Sequence, residues 1–265
     1  MIITLLTDFG TADYFVGAMK GVILSINPDA LIVDITHEIP PQDILSGAFT
    51  LSVVYKNFPE RTIHVAVVDP GVGSERRAIV VSAHNQYFVG PDNGLFSFVF
   101  EEEKNARVFH ATNEVYFRQP VSNTFHGRDV FSPLAAALSK GVHPETLGVD
   151  ITDFVRLPNL KPNIIREGAL EASIIHIDRF GNCITNLTRE HITDEMIARG
   201  VALTVNGRKI TSFQRFFAEG GDASDNLFAI WGSAGFLELA SFRSSAAEIL
   251  GARTGEKIEV MNYEF

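Results

Sequence analysis

Residues 62–77 read TIHVAVVDPGVGSERR, and this stretch decides the fold that the sequence predicts. Thr62–Val68 is a short apolar run rich in β-branched residues, which is typical of a buried strand. The turn that follows begins with Asp69-Pro70, and its glycines allow backbone conformations that other residues avoid. In α/β proteins, the loops beyond the carboxyl ends of the strands carry the functional groups. We therefore expect the chemistry to centre on the turn from Asp69 to Arg77.

Strand-like runs alternate with helical patterns throughout the first half of the chain, which predicts an α/β domain with a mostly parallel sheet. The predicted strands are Ile2–Leu6, Leu31–Ile35, Thr62–Val68 and Ala78–Ser82, and the predicted helices are Tyr14–Ile26, Asp43–Tyr55, Asn93–Glu103 and Val130–Lys140. We expect this N-terminal domain to span residues 1–160.

The last third of the chain contains only short strand-like runs, and it predicts a smaller C-terminal β-barrel-like domain over residues 168–265. The predicted strands there are Leu170–Ile177, Cys183–Leu187, Val201–Val205, Phe228–Trp231, Phe236–Leu239 and Lys257–Met261. Asn206-Gly207 is a strong signal for a hairpin turn between two of them. Pro158 and Pro162 interrupt any regular pattern in Leu157–Gly168, so we expect a linker at that point.

The composition of the 265-residue chain is that of an ordinary globular protein, with 46% apolar and 20% charged residues. A net charge of −10 disfavours a nucleic-acid partner, because phosphate binding needs a basic surface. No apolar run approaches the ~20 residues of a membrane helix, and the N-terminus lacks the basic region of a signal peptide, so we expect no membrane partner. The single cysteine, Cys183, excludes an internal disulfide, which favours a cytoplasmic location.

Four predicted strands end in clusters of polar residues and glycines, and each cluster has a structural and a functional interpretation. The clusters are Thr7-Asp8-Phe9-Gly10 with Asp13, Asp34-Ile35-Thr36-His37, Asp69 to Arg77, and Asp178-Arg179-Phe180-Gly181-Asn182. An aspartate after a strand often does no more than cap a turn. Four such strand ends in one chain nevertheless favour a binding site among these loops.

The Asp69 turn can bring a carboxylate close to the guanidinium of Arg76 or Arg77, and the stretch around His126 adds an imidazole. These three groups are sufficient to position and polarise a water molecule. No GxGxxG motif or P-loop lysine accompanies the glycines, so phosphate binding is disfavoured. His37 could ligate a metal, but no metal-binding spacing accompanies it, and we predict no metal site.

Ordered motifs along the whole chain resemble those of the S-adenosyl-L-methionine (SAM) hydroxide adenosyltransferase family. They are LLTDFG with VGAMKG, DITHEIPPQDI, VVDPGVGS, GPDNGLF, FHGRDVFSP, IDRFGNCITN and GSAGFLELA. The resemblance implies an α/β N-terminal domain, a β-barrel-like C-terminal domain, and a homotrimer with active sites between subunits. It also implies hydrolysis of SAM by attack of water at C5′ of the ribose, giving adenosine and L-methionine. SAM is then the substrate, and no cofactor is implied.

The resemblance also assigns the site residues. The water-handling set falls on Asp69, Arg76 and His126, with Arg77 as the open alternative to Arg76. The substrate contacts fall on Asp8 for the ribose diol, Asp13 and Asp178 for the ammonium group, Ser233 for the carboxylate, Phe180 and Asn182 for the adenine, and the backbone near Ala246 for the adenine edge. This last assignment departs from the family pattern, because Arg243-Ser244-Ser245-Ala246-Ala247 replaces the usual Gly-Asn-Ala-Ala stretch. Which group takes the proton of the water stays open.

The related halogenating enzymes are the first alternative. They carry a tyrosine at the place of Asp69 and two hydroxyl residues where this chain has Val72 and Gly127, and a carboxylate would repel a halide. A non-catalytic module that binds adenosine or its sulfonium conjugate is the second alternative, and it would have no need of Asp69, Arg76 and His126. The residues therefore favour the hydrolase.

Overall fold

The computed structural model describes residues 1–158, 160–219 and 227–263. The chain divides into two compact units, Met1–Leu157 and Pro158–Phe265. The predicted assignment of the water-positioning set to the N-terminal domain, and of adenine and methionine contacts to the C-terminal domain, stays a prediction.

The first unit contains one seven-stranded sheet and five helices. Its strands are β1 (Ile2–Thr7), β2 (Leu31–Thr36), β3 (Ile63–Val67), β4 (Ala78–Ala83), β5 (Gln86–Pro91), β6 (Arg107–Ala111) and β7 (Gly148–Ile151), and its helices are α1 (Phe15–Ile26), α2 (Ile44–Val54), α3 (Ser97–Glu102), α4 (Ser132–Ser139) and α5 (Pro144–Leu147). The strand order is β2-β1-β3-β5-β4-β6-β7. The first four strands in this order run parallel to one another, whereas β4, β6 and β7 pair antiparallel with their neighbours. The predicted α/β fold is confirmed.

The core of this unit explains why β3 lies in the interior of the sheet, between β1 and β5. All five residues of Ile63–Val67 are buried, as expected for a strand covered on both faces. The helix α1 buries Val16, Met19 and Ile23, whose spacing places them on one face, and it packs against α4. The buried His64 is satisfied by hydrogen-bonding contacts to Thr4 and Gln86. This packing holds the end of β3 in a fixed position.

Several predicted elements need correction. The predicted helix Asn93–Glu103 begins only at Ser97, because the Asn93 side chain accepts from Leu95 N and Gly94 has a φ of 98°, which makes a turn there. The predicted helix Val130–Lys140 begins at Ser132, and a π-helical turn over Gly127–Phe131 precedes it. The strands β5, β6 and β7 were not predicted, because their runs are short and their alternation is weak.

The described residues of the second unit form one nine-stranded sheet and two short helices. Its strands are β8 (Asn163–Arg166), β9 (Gly168–Ile177), β10 (Cys183–Thr188), β11 (Ala202–Val205), β12 (Arg208–Ile210), β13 (Phe213–Gln214), β14 (Leu227–Trp231), β15 (Phe236–Ser241) and β16 (Lys257–Tyr263), and its helices are α6 (Asp194–Ala198) and α7 (Ala246–Leu250). The strand order is β12-β11-β16-β9-β10-β15-β14-β13, with β8 also paired to β9. The sheet curls into a half-barrel, so the predicted β-rich class is confirmed.

The hairpin predicted at Asn206-Gly207 is confirmed, since both residues have positive φ angles, 48° and 76°, between β11 and β12. The predicted linker is wrong in part. Asn163–Arg166 forms β8, which pairs antiparallel with β9. This short strand pairs with β9 alone and follows two prolines, so the sequence pattern did not indicate it. Asn159 of the same stretch lies outside the described residues. Within the described ranges, no helix is long and apolar enough to span a membrane.

Candidate active site

The sheet topology brings two aspartates to one edge of the first unit. The parallel strands β1 and β3 are paired with Thr7 opposite Val67. Asp8 follows β1 directly and Asp69 follows β3 after Val68, so both lie where the carboxyl ends of the parallel strands open into loops. The Asp8 carboxylate accepts a hydrogen bond of 2.8 Å from the backbone N–H of Gln42. This contact holds Asp8 over the sheet edge.

The structure brings Asp69, Arg76 and His126 into direct contact. Nε of Arg76 donates to both carboxylate oxygens of Asp69, at 2.9 Å each, and Nη2 of Arg76 adds a further bond to Asp69. The same Nη2 lies 2.6 Å from Nδ1 of His126. The side chains of Arg76 and Asp69 are only 10% and 4% exposed, so this ion pair is largely removed from water. The Arg76 guanidinium also lies over the Phe131 ring, 5.2 Å from its centroid.

Local backbone geometry explains how the turn reaches His126. Gly73 has a φ of 78°, and a Cβ at this residue would lie 2.2 Å from the backbone oxygen of Asn123. Only glycine permits so close an approach of the two chain segments. Nδ2 of Asn93 donates to the backbone oxygen of Val68, which fixes the end of the strand just before Asp69. Gly73 of the sequence motif therefore allows the close contact between these two chain segments.

Arg77 points to different partners, which distinguishes it from Arg76. Its Nε donates to Asp92 at 2.8 Å, and its Nη1 and Nη2 donate to the side chain and the backbone oxygen of Asp153, each at 2.8 Å. These bonds tie the start of β4 to residues 92 and 153. Of the two adjacent arginines, Arg76 is therefore the one in contact with Asp69 and His126.

A buried carboxylate orders the segment that carries His126. Asp129 has a fully buried side chain and accepts from Arg128 at 2.7 and 2.8 Å, from Arg118 at 3.2 Å and from the backbone N–H of Ser122 at 3.0 Å. Burial disfavours its ionised form, but these hydrogen bonds outweigh burial and hold the pKa of Asp129 below its ordinary value. Asp129 was not predicted from the sequence, although the adjacent Arg-Asp pair could have indicated it.

The contact with Arg76 fixes the protonation state of His126. Arginine has N–H donors and no acceptor, so Nδ1 of His126 must accept. The neutral ring therefore carries its proton on Nε2. Burial, and then the positive charge of Arg76, lower the pKa of His126 below its ordinary value. The imidazole is thus held neutral, with an N–H donor at Nε2.

The remaining polar residue predicted in the first unit is Asp13, which is exposed in the loop between β1 and α1. Three aromatic rings pack together at this loop. The centroid of the Phe125 ring lies 6.0 Å from that of Phe9 and 5.0 Å from that of Phe15. Because Phe125 precedes His126, these contacts pack the loop after β1 against the segment that carries the histidine.

In the second unit, Asp178 organises the turn between β9 and β10. One of its oxygens accepts from the backbone N–H groups of Phe180 and Asn182, at 2.9 and 2.8 Å, and the other accepts from Nδ2 of Asn182 at 2.8 Å. The structural interpretation of this cluster is therefore correct, and it leaves room for a functional one. With Nδ2 engaged, the Asn182 amide presents Oδ1 as its remaining acceptor.

The Asp178 turn borders a cavity of about 600 Å³. Its lining consists of Phe180, Asn182, Phe217, Ser241, Phe242, Arg243, Ser244 and Ser245. Phe180 is 78% exposed, which is unusual for a phenylalanine and leaves a ring face available for stacking. A Cβ at Gly181 would lie 2.1 Å from Oγ of Ser245, so this glycine allows the turn to pack against Ser245.

Ala246 is completely buried and packs in the core of the second unit, and it does not line the cavity. The residues before it, Arg243 to Ser245, take that place. Phe217 also lines the cavity and was missed, because no motif surrounds it. Ser233 is exposed in the turn between β14 and β15. Among the described residues, no group of three or more His, Cys, Asp or Glu side chains could hold a metal ion.

Sequence comparisons identify the family of this chain. Residues 3–148 match the model of the SAM hydroxide adenosyltransferase N-terminal domain, and residues 172–259 match that of the C-terminal domain. The chain belongs to the SAM hydroxide adenosyltransferase family. A protein of Methanocaldococcus jannaschii named (R)-S-adenosyl-L-methionine hydrolase is 37% identical over 98% of this chain and 95% of its own length.

Two further relatives match nearly the whole chain. An uncharacterized conserved protein from Thermotoga maritima has a crystal structure that matches with a TM-score of 0.87 and 34% identity, covering 98% of this chain and 100% of its own. A fluorinase from an Actinoplanes species is 27% identical over 98% of this chain and 97% of its own length. The fluorinase is thus the more distant relative.

Proposed function

We propose that the protein hydrolyses SAM to adenosine and L-methionine, with Asp69, Arg76 and His126 holding the attacking water. The observation that carries the proposal is the set of short contacts that joins these three side chains at the end of β3. Family membership and relatives named (R)-S-adenosyl-L-methionine hydrolase support the choice of substrate and reaction.

The reaction places modest demands on the protein. A bond forms between the water oxygen and C5′, the bond from C5′ to sulfur breaks with its electron pair going to sulfur, and one proton of the water is released. The sulfonium leaves as a neutral thioether, so no general acid is required. The protein must align the water with C5′ and exclude other water, and such alignment contributes on the order of 7–11 kcal/mol.

The contacts also suggest which group handles the proton. Nδ1 of His126 accepts from Arg76, and Nε2 carries the proton of the neutral ring. Nε2 can therefore donate a hydrogen bond to the water but cannot accept a proton from it. Asp69 is the carboxylate of the set, and its Oδ1 accepts only one bond from Arg76, which leaves a lone pair on that oxygen, whereas Oδ2 accepts two. In our proposal His126 orients the water as a donor, and Asp69 receives the proton before passing it to solvent.

The substrate contacts follow the family resemblance. Asp8 would accept from the ribose diol, Asp13 and Asp178 would receive the ammonium group, and Ser233 would bind the carboxylate. Phe180 would stack on adenine, with Oδ1 of Asn182 accepting from its amino group. Backbone near Ala246 was predicted for the adenine edge. We propose Ser244 and Ser245 for that contact instead, because both line the cavity.

The proposal includes a homotrimer in the cytoplasm, with each active site completed by two copies of the chain, and a reaction without a metal or other cofactor. The family resemblance supports this assembly. The proposed site residues are divided between the two units of the chain, so a shared site would combine the first unit of one copy with the second unit of another. Light scattering on the purified protein tests the trimer directly.

The function is tested by incubating purified protein with SAM and separating the products by chromatography. Adenosine and methionine should form in equal amounts, and treatment with a chelator should not change the rate. An absence of adenosine above background after prolonged incubation would reject the function.

Chloride in the same assay tests the halogenating alternative. A Cβ at Gly127 would already lie 3.2 Å from Sδ of Met19, so the hydroxyl side chain of the halogenating enzymes has little room at this position. We expect no 5′-chloro-5′-deoxyadenosine. Its formation would assign the protein to the halogenating branch.

A further inference from the structure

The side chain of Glu238 occupies an unusual position in the second unit. It lies on β15 between Leu237 and Leu239, both of which are completely buried in the core. Because side chains alternate along a strand, Glu238 projects from the opposite face of the sheet. Ile184 is directly paired with it on β10, two residues after Asn182. Glu238 therefore shares a sheet face with Ile184, which is close in sequence to Asn182 of the proposed substrate site.

The turn that carries Ser233 lies against this carboxylate. A Cβ at Gly232 would be 1.8 Å from Oε1 of Glu238, so the Gly232 backbone touches the carboxyl group. The turn is closed by bonds from Gly232 N to Phe236 O and from Gly235 N to Gly232 O, at 2.9 and 3.1 Å. Gly232 thus keeps the carboxylate next to the residue proposed to bind the carboxyl end of methionine.

The charge around Glu238 is unbalanced. Within the described part of the chain, no hydrogen bond or ion pair reaches its carboxyl group, and the charged neighbour that acts on it is the carboxylate of Asp178. Burial, and then Asp178, raise the pKa of Glu238. A partly buried carboxylate beside a like charge is costly unless a cation joins it. The described residues supply none at this point.

We propose that Glu238 is a specificity residue of the SAM site, whose carboxylate receives the α-ammonium group of the substrate's methionine moiety beside Ser233. This inference rests on the proposed function and adds to it a residue that the family motifs did not assign. The ammonium group supplies the missing positive charge and can donate to Glu238 and Asp178 together.

The test compares two substrates. One is SAM, and the other is a SAM analogue that lacks the α-amino group but keeps the carboxylate and the sulfonium. Glu238→Gln should lower kcat/KM for SAM about ten- to hundredfold, mainly through KM, because a desolvated charge pair loses one partner. It should leave kcat/KM for the deaminated analogue within about twofold of wild type, because that analogue never makes the contact.

Gly232→Ala provides a second variant that keeps the charge. A methyl group there displaces the carboxyl end of Glu238, so it should give the same selective loss with SAM. Glu195→Gln is the matched control, since it removes one negative charge from an exposed ion pair with Arg199 in the same unit. It should behave as wild type with both substrates.

Equal losses with both substrates would mean that Glu238 acts structurally or on the sulfonium, and would overturn the inference, as would no loss with SAM. If wild type fails to hydrolyse SAM, the proposed function fails by itself. Calorimetric binding of SAM and of the analogue to wild type and to Glu238→Gln then still decides the role of Glu238.

Discussion

At the scale of single residues, the carboxylate of Asp69 has the role of receiving the proton that the attacking water releases in the proposed reaction. Asp69→Asn keeps the size of the side chain but removes the charge that binds Arg76 and receives the proton. We expect kcat to fall about a hundredfold or more, with KM for SAM nearly unchanged. Arg77→Lys, which alters the neighbouring arginine bound to Asp92 and Asp153, is the control and should keep most of the activity. Near-normal turnover of Asp69→Asn would exclude Asp69 from the proton transfer.

His126 provides a residue-scale test of the donor role. In His126→Gln the amide can place an N–H close to the position of Nε2, whereas His126→Asn keeps an acceptor for Arg76 and lacks that donor. We expect the glutamine variant to stay within about tenfold of wild type and the asparagine variant to lose about a hundredfold or more. ¹⁵N NMR of the wild-type ring should show the proton on Nε2. A proton on Nδ1, or equal inactivity of both variants, would contradict the donor role.

The pH dependence of the reaction depends on the same contact. Burial and Arg76 disfavour a charged imidazole and lower the pKa of His126 below 6.5. The neutral ring therefore predominates at and above pH 6.5, and Nδ1 takes up a proton as the pH falls through the lowered pKa. That proton would break the bond from Arg76, so kcat/KM should decline on the acidic side below pH 6.5. His126→Gln should lack this decline, and a profile unchanged by the substitution would assign the acidic limb to another group.

At the scale of structural elements, the site depends on one close contact between the turn after β3 and the segment before the π-helical turn. Gly73→Ala introduces a Cβ that would lie 2.2 Å from the Asn123 oxygen and places alanine at a φ of 78°. We expect a loss of about 1–3 kcal/mol in the free energy of unfolding, together with a lower kcat as the bond from Arg76 to His126 lengthens. Gly141→Ala is the matched control, because Gly141 has a φ of 89° with no atom near its Cβ position. It should lose stability without a specific loss of kcat.

At the scale of the whole molecule, the sequence predicted most of the features that depend on local pattern. Thr62–Val68 predicted the interior strand β3, because a fully buried parallel strand is a continuous apolar run. Asn206-Gly207 predicted its hairpin, because asparagine and glycine accept the positive φ angles that such a turn needs. The motifs also indicated Asp69, Arg76 and His126. Pattern could not separate Arg76 from Arg77, since their difference arises from Asp92 and Asp153, which are distant in sequence. Nor could it find Phe217 or place Ala246 in the core, because both depend on how the strands curl.

The proposed assembly gives a prediction that belongs to the molecule as a whole. If each site joins the first unit of one copy to the second unit of another, then defects in the two units can complement each other. Asp69→Asn damages the first unit, and the double substitution Phe180→Ala with Asn182→Ala damages the second. In every trimer that contains both variants, one of the three sites pairs two intact units, so the mixed trimers should recover about a third of wild-type activity. Differently tagged chains, co-expressed and purified through both tags, allow the measurement on mixed assemblies alone. Mixed trimers without recovered activity would show that each site lies within a single copy.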